Sequence, residues 1–386
     1  MNLIKRNRHL GIYVHIPFCV SKCIYCDFLS FAADDGTKEK YINALVREIE
    51  EAAKKQSSLH PDTIVDTVFF GGGTPSILPA KYIVQIIRTI RENFFVSDNA
   101  EITMECNPGT LDKEKLDAYK NIGVNRLSIG LQSPDNVELK NLGRIHTYEQ
   151  FEESYFAARS AGFDNINIDI MSAIPFQTVK GYEKNLVKLL ALKPEHISAY
   201  SLIVEENTKL FDMVNKSKSK ILPTEDEDRE MYYLTKAMLI EEGYYRYEIS
   251  NYAKKGYECR HNCSYWERTE YIGFGLSAAS LLDGVRFTNT FDMKSYLENP
   301  LENYGEYSIL TREDAMSEYV FLGLRMMRGI SKKGFEVEFG VSFDDIYIEA
   351  MKDNLRKGLI AVDGDRVYLT DIGIDVSNSV MADFII

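Results

Sequence analysis

Apolar positions along this chain follow two alternating rhythms. Short apolar runs at residues 11–15, 65–70, 101–105, 126–130, 165–170 and 196–202 read as strands. Between them the apolar residues recur three and four apart. Tyr41, Leu45, Ile49 and Ala52 do so within 38–54, and Ile83, Ile86, Ile87 and Ile90 within 81–94. Residues 111–122, 148–161 and 179–192 behave likewise, and 225–242 opens on Thr224-Glu-Asp-Glu227, a capping-box pattern, with Gly243 closing it. Strand and helix alternating in this way predict parallel strands with helical crossovers. Six units fit an incomplete (βα)6 TIM-type barrel over residues 1–250.

The rhythm changes after about residue 250. Residues 251–306 are rich in Tyr and Gly with weaker periodicity and read as a connecting segment. From 307 a separate module is expected, with helices over 315–327, 332–339, 343–356 and 372–384. Residues 359–369 read as a hairpin turning at Asp363-Gly364-Asp365. The fold class is therefore α/β, a partial barrel with a smaller C-terminal α+β winged-helix-like domain over 307–386.

In barrels of this type function sits in loops at the C-terminal ends of strands. The polar and glycine motifs fall there. A loop with Cys19, Cys23 and Cys26 follows the first strand, and Gly71-Gly-Gly-Thr-Pro75 the second. Glu105-Cys-Asn-Pro108 ends the third, Gly130-Leu-Gln132-Ser133 the fourth, and Asp169 lies in the fifth ahead of Ala173-Ile-Pro175.

Composition narrows the function. With 45% hydrophobic and 27% charged residues, wholesale disorder is excluded. A net charge of −13 leaves no basic footprint for nucleic acid. The winged-helix-like module is itself acidic, 9 Lys/Arg against 14 Asp/Glu over 308–386, so it is expected to pack or dock rather than bind DNA. No apolar run approaches the roughly 20 residues that cross a bilayer. The basic start, Met1-Asn-Leu-Ile-Lys-Arg-Asn-Arg8, lacks the apolar core of a secretory signal. A cytoplasmic protein is expected. Asn215–Lys220 reads as a small polar loop.

Half of the six cysteines fall in the C-x3-C-x2-C loop. Such spacing lets thiolates converge on one inorganic centre. Iron–sulfur clusters are usually held by four thiolates, so three leave one iron of a [4Fe–4S] cluster open to another ligand. A zinc site completed by Cys259 or Cys263 is the alternative; a disulfide suits the expected compartment less. Around the loop, Gly72 and Gly73 expose backbone groups to which a ligand's amino group can bind. Glu105 and Asp169 can accept from a ribose diol, and Arg144 can pair a carboxylate. Farther on, His261 is followed by Tyr265 and the only Trp, Trp266, with Cys263 between them. A lone His is usually a satisfied hydrogen-bonding residue. This one has the aromatic company a flat macrocycle wants, and haem iron takes His or Cys.

These motifs together resemble the radical S-adenosylmethionine (SAM) superfamily and, within it, the coproporphyrinogen-dehydrogenase-like group. The resemblance rests on His15-Ile-Pro-Phe-Cys19-x3-Cys23-x2-Cys26, the glycine turn, Ile129-Gly-Leu-Gln132-Ser and Tyr247-Glu-Ile-Ser-Asn251-Tyr-Ala. It covers nearly the whole chain. It implies that Cys19, Cys23 and Cys26 ligate a [4Fe–4S] cluster whose open iron chelates SAM, which can release a 5′-deoxyadenosyl radical. It further implies that Tyr13 and Tyr25 border the SAM pocket and that Gly72, Gly73 and Thr74 contact the methionyl end. Glu105, Gln132, Arg144 and Asp169 would hold the rest, with Ile203 on the adenine side.

The dehydrogenases carry one more cysteine two residues past the third. Here that position is Phe28. His261-Asn-x-x-Tyr265-Trp266 is similar to a haem-associated signature of the group's haem-chaperone branch. A haem chaperone is therefore expected, with His261 on the haem, joined by Cys263, Tyr265 and Trp266. It would deliver haem to haem-requiring proteins such as membrane-bound respiratory enzymes, with a homodimer possible and no nucleic acid. Oxidative decarboxylation of coproporphyrinogen III and radical opening of a haem ring are the alternatives. One departure stands out. The family's glycines in Gly-Leu-Pro-Gly-Gln are Ala173 and Phe176 here, and a positive φ at Phe176 would strain the loop.

Overall fold

A computed structural model describes residues 8–217, 220–301 and 304–386; the N-terminal stretch 1–7 and residues 218–219 of the polar loop lie outside the described residues. Strands β1 (Arg8–Ile16), β2 (Thr63–Gly72), β3 (Val96–Cys106), β4 (Arg126–Gln132), β5 (Ile166–Ser172) and β6 (His196–Ser201) pair in that order, all parallel. Helices α1 (Asp35–Leu59), α2 (Ala80–Asn93), α3 (Lys113–Ile122), α4 (Asn136–Asn141), α5 (Tyr148–Ser160), α6 (Val179–Ala191), α7 (Lys209–Lys216) and α8 (Glu225–Glu241) complete the (βα)6 arrangement. β1 and β6 are not neighbours, so the barrel is open. The stripe Tyr41, Leu45 and Ile49 and the stripe Ile83, Ile86, Ile87 and Ile90 are buried against the sheet. Thr224 and Glu227 form the expected capping box, and Gly243 follows at φ +83°. Helices α4 and α7 carry no sequence signal, because six or eight residues are too few to show a period.

The segment 251–306 contributes to the same sheet. After β7 (Tyr245–Arg246) come β8 (Asn251–Ala253), α9 (Arg260–Trp266), β9 (Tyr271–Phe274), β10 (Ala279–Leu282), β11 (Val285–Asn289), α10 (Met293–Glu298) and β12 (Tyr304–Ile309). β8 closes on β6, whereas β9 runs parallel to β1 and carries β10–β12 outward, giving a twelve-stranded sheet. Within the segment read as connecting, residues 260–266 are helical.

The C-terminal part holds α11 (Arg312–Gly323), β13 (Ile330–Ser331), α12 (Lys332–Phe339), α13 (Phe343–Arg356), β14 (Ile360–Asp363), β15 (Arg366–Leu369), α14 (Asp371–Asp375) and α15 (Ser377–Ala382). Its three-stranded sheet, ordered β13-β15-β14, packs on a separate core around Phe335, Phe343, Tyr347 and Val367. The final helix expected over 372–384 is two helices, because Val376 leaves helical geometry at φ −121°, ψ 30°.

Candidate functional site

The C-terminal ends of β1–β6 surround a cavity of about 500 Å³. Of the residues read from sequence, Cys19, Cys23, Cys26, Tyr25, Gly72, Gly73, Thr74, Glu105, Gln132, Arg144, Asp169 and Ile203 all line it. Residues up to 184 positions apart in the chain converge because parallel strands place all their C-terminal ends on one rim.

The cysteine loop is tied down by its backbone. The Cys19 amide donates to the Phe31 carbonyl at 3.0 Å, and Ile24 N–H donates to Leu142 O at 3.2 Å. Gly73 and Thr74 donate to the carbonyls of Ile16 and Phe18, both at 2.8 Å, so the glycine turn lies directly against the root of the loop. A Cβ on Gly73 would fall 2.7 Å from the Phe18 carbonyl oxygen, and one on Gly72, at φ +106°, 2.5 Å from the His15 ring. The glycines are required by this approach. The three thiols are free and partly buried. Among the described residues, no three His, Cys, Asp or Glu side chains close around a single ion. Cys259 and Cys263, the partners a zinc site needs, are not on the cavity wall. Three free thiols on one cavity fit a cluster that takes one thiolate per iron.

Polar side chains adjoin the thiols on the same cavity. Arg144 donates from Nη2 to Gly130 O (2.6 Å) and Asn107 Oδ1 (2.9 Å), and its Nη1 lies 3.7 Å from Cys23 Sγ. Its Nε is buried with no acceptor, a vacancy suited to a carboxylate. Gln132 holds φ +68° and accepts from Tyr200 Oη at 3.0 Å. Asp169 accepts from Asn167 Nδ2 at 2.7 Å. Burial, with Asp169's charge adding to it, pushes the Glu105 carboxyl up to about 8. Burial likewise raises Asp169, against the pull of its Asn167 hydrogen bond and the charges of Arg126 and Arg144. Two buried carboxyls with raised pKa values form a site that gains from a cationic ligand.

Sequence reading missed Asn107, Ser198, Tyr200, Asn251 and Asn262, all on the cavity wall. Asn107 lies in a motif already noted. Tyr200 and Asn262 reach the cavity only through strand order.

Two assignments move. Tyr13 is not on this cavity; its hydroxyl bonds His15 Nδ1 at 3.1 Å, and its ring faces an adjoining space. His261 is 1% exposed and touches neither cavity. Its Nδ1 pairs Thr67 Oγ1 at 2.8 Å, its Nε2 pairs Tyr265 Oη at 2.9 Å, and its ring stacks on Phe69 at 5.1 Å. Burial, helped by the charge of Arg126, pushes the imidazole down to about 3, so it is neutral. With both nitrogens engaged, His261 presents no free lone pair to an iron. Cys263 packs in a small cluster with Tyr247, Trp266 and Met326, its thiol raised by burial.

Ala173 and Phe176 both have positive φ, +56° and +64°. The loop keeps the glycine conformation without the glycines. Phe176→Gly is expected to raise unfolding free energy by about 0.5–1 kcal/mol, relief of left-handed strain exceeding the added chain entropy. The ring is 63% exposed, so little burial is lost. Urea denaturation checks this, and a destabilised variant would refute it.

Comparison with known proteins identifies the family. The radical SAM superfamily profile matches residues 13–187, and the HemN C-terminal domain profile matches 310–376. The chain is 37% identical to the heme chaperone HemW of Bacillus subtilis (strain 168), covering 97% of this chain and 98% of that one. It is 31% identical to the heme chaperone HemW of Escherichia coli (strain K12), with 97% and 98% covered. The coproporphyrinogen III oxidase HemN from Escherichia coli, a radical SAM enzyme, superposes with a TM-score of 0.85 at 25% identity, covering 98% of this chain and 90% of that one. Similarity at this level over nearly the full length places the chain in the HemW family of the radical SAM superfamily.

Proposed function

We propose that this protein binds haem and passes it to haem-requiring proteins, respiratory enzymes at the membrane among them. The carrying observation is its full-length similarity to proteins named heme chaperone HemW. Phe28 at the position of the dehydrogenases' additional cysteine supports the same reading. No described helix is long and apolar enough to cross a membrane, which suits a carrier that meets its recipients by docking.

In this reading Cys19, Cys23 and Cys26 would hold a [4Fe–4S] cluster, with one iron left open to SAM. When bound, the cluster and SAM supply one-electron reduction of a sulfonium. The chain's own residues position the ligand. Gly72, Gly73 and Thr74 meet the methionyl amine, and Arg144 pairs the carboxylate through its free Nε. Glu105 and Asp169 accept from the ribose, Gln132 and Tyr25 flank it, and Ile203 covers the adenine.

The raised Glu105 carboxyl sets a pH dependence. In the free protein it is protonated below about 8. A cationic ligand favours the ionised form, so binding releases a proton. SAM affinity is expected to rise between pH 6.5 and 8, by at most about tenfold per unit, and then level off. Glu105→Gln makes the profile shallower, the remaining slope being that of the SAM amine, which must be neutral to bind iron. Equal slopes in both proteins, measured anaerobically by titration calorimetry, would overturn the assignment.

The structural likeness to HemN favours one alternative, coproporphyrinogen III decarboxylation. Anaerobic reconstitution followed by parallel assays separates the two. Tight haem binding without turnover supports the chaperone; multiple turnovers to protoporphyrinogen with SAM and a reductant would overturn it.

A further inference from the structure

Beside the thiol-lined cavity lies a second one, of about 540 Å³, between β1, α9, β9–β11 and the start of the C-terminal domain. This is the size range of pockets that enclose a cofactor. Its walls are apolar and aromatic, with Tyr13, Phe28, Tyr265, Trp266 and Tyr271 among them. The charged residues on it are Arg268 and Arg286, and no carboxylate lines it. Two carboxylates behind the wall, Glu318 and Glu338, pair with them, so what the wall presents is guanidinium donors rather than net charge.

The two guanidiniums are held in fixed relation. Glu318, whose side chain is 7% exposed, accepts from Arg268 Nε at 3.3 Å and pairs Arg286 Nη1 at 2.8 Å. Glu338, near the surface, takes Arg268 Nη1 at 2.7 Å. A guanidinium carries five N–H donors, so neither arginine is saturated by these contacts. Arg286 Nε and Trp266 Nε1 are both buried with no acceptor. Buried donors without partners are rare and call for an acceptor to arrive. Apolar aromatic walls, two positioned guanidiniums and two orphaned donors together describe the complement of an aromatic macrocycle carrying two carboxylates.

We infer that this cavity is the haem site, with Arg268 and Arg286 receiving the two propionates and the aromatic walls covering the ring. This placement rests on the haem-binding reading above and moves the site away from His261. It also gives Phe28 a physical role. Phe28 lines both cavities and forms a wall common to them. A bulky apolar side chain there stands between the ring and the SAM site, where a cysteine would leave the two spaces less divided.

The test uses full-length protein and two probes, haemin and haemin dimethyl ester, titrated by absorption. Wild type is expected to bind haemin at least about tenfold more tightly than the diester, since each propionate forms charge-assisted hydrogen bonds. Arg286→Gln and Arg268→Gln should each weaken haemin about tenfold and reduce the preference over the diester. The comparison of probes on wild type depends on no variant folding. Ala279→Phe, which fills the cavity from β10, should weaken both probes while iron loading stays complete. Equal binding of the two probes to wild type, or a full preference kept by both arginine variants, would overturn this placement alone. No haemin binding by wild type would overturn the haem reading itself, and the placement with it.

Discussion

Replacing any one of Cys19, Cys23 and Cys26 with Ala will reduce the iron bound after anaerobic reconstitution from about four atoms per chain to near none. The same substitution at Cys259 or Cys263 will leave it unchanged. The asymmetry follows from placement. The first three thiols line one cavity, whereas Cys259 Sγ lies 3.7 Å from Glu101 Oε1 and Cys263 packs in another cluster. On the proposed set of three protein ligands, loss of one leaves two, too few to retain the cluster through desalting. SAM binding should vanish in parallel, because the open iron is lost with the cluster. Iron and sulfide assays with the visible spectrum read the outcome. A cluster of full stoichiometry in Cys23→Ala would refute the ligand set, and loss of iron in Cys259→Ala would extend it.

Gly73→Ala will destabilise the protein by more than about 3 kcal/mol and prevent cluster loading, although Gly73 ligates nothing. Its new Cβ would stand 2.7 Å from Phe18 O, 2.9 Å from Phe18 N and 3.0 Å from Ile16 O. All three are backbone atoms at the root of the cysteine loop, so relief requires moving the loop. Gly109→Ala is the control: φ is +78° but nothing lies within 4 Å, so only conformational strain of about 1 kcal/mol is expected. Denaturant melts of both variants measure the difference. Equal costs would mean that the loop yields freely, and the tight approach would lose its meaning.

Much of this molecule was legible from local pattern. Helices α12 and α13 begin and end where the sequence pattern over 332–339 and 343–356 places them. The rim residues Cys19, Gly72, Glu105 and Gln132 were readable because each lies at or just past a strand end, and strand ends share one side of a parallel barrel. Phe176 was readable as a strained position because the family pattern has glycine there. His261 was not. Its partners Thr67 and Glu101 lie 194 and 160 residues earlier, and only the pairing of β9 with β1 brings α9 against them. A histidine beside Tyr and Trp looks the same in sequence whether it faces a ligand or closes a core. Arg268 and Arg286 were overlooked for the same reason: their shared partner, Glu318, belongs to the C-terminal domain.

The pairing of β1 with β9 has a further consequence during synthesis. Residues 11–14 sit in the middle of the finished sheet, bonded on one side to β2 and on the other to residues 271–274. As the chain emerges, one side of β1 soon gains β2, but the other must wait for some 260 further residues. Throughout that interval the chain presents an apolar strand with an open edge, the kind of template on which other chains pair wrongly. The cysteine loop hangs from the end of that same strand. A nascent chain stalled before residue 271 is therefore expected to be prone to aggregate.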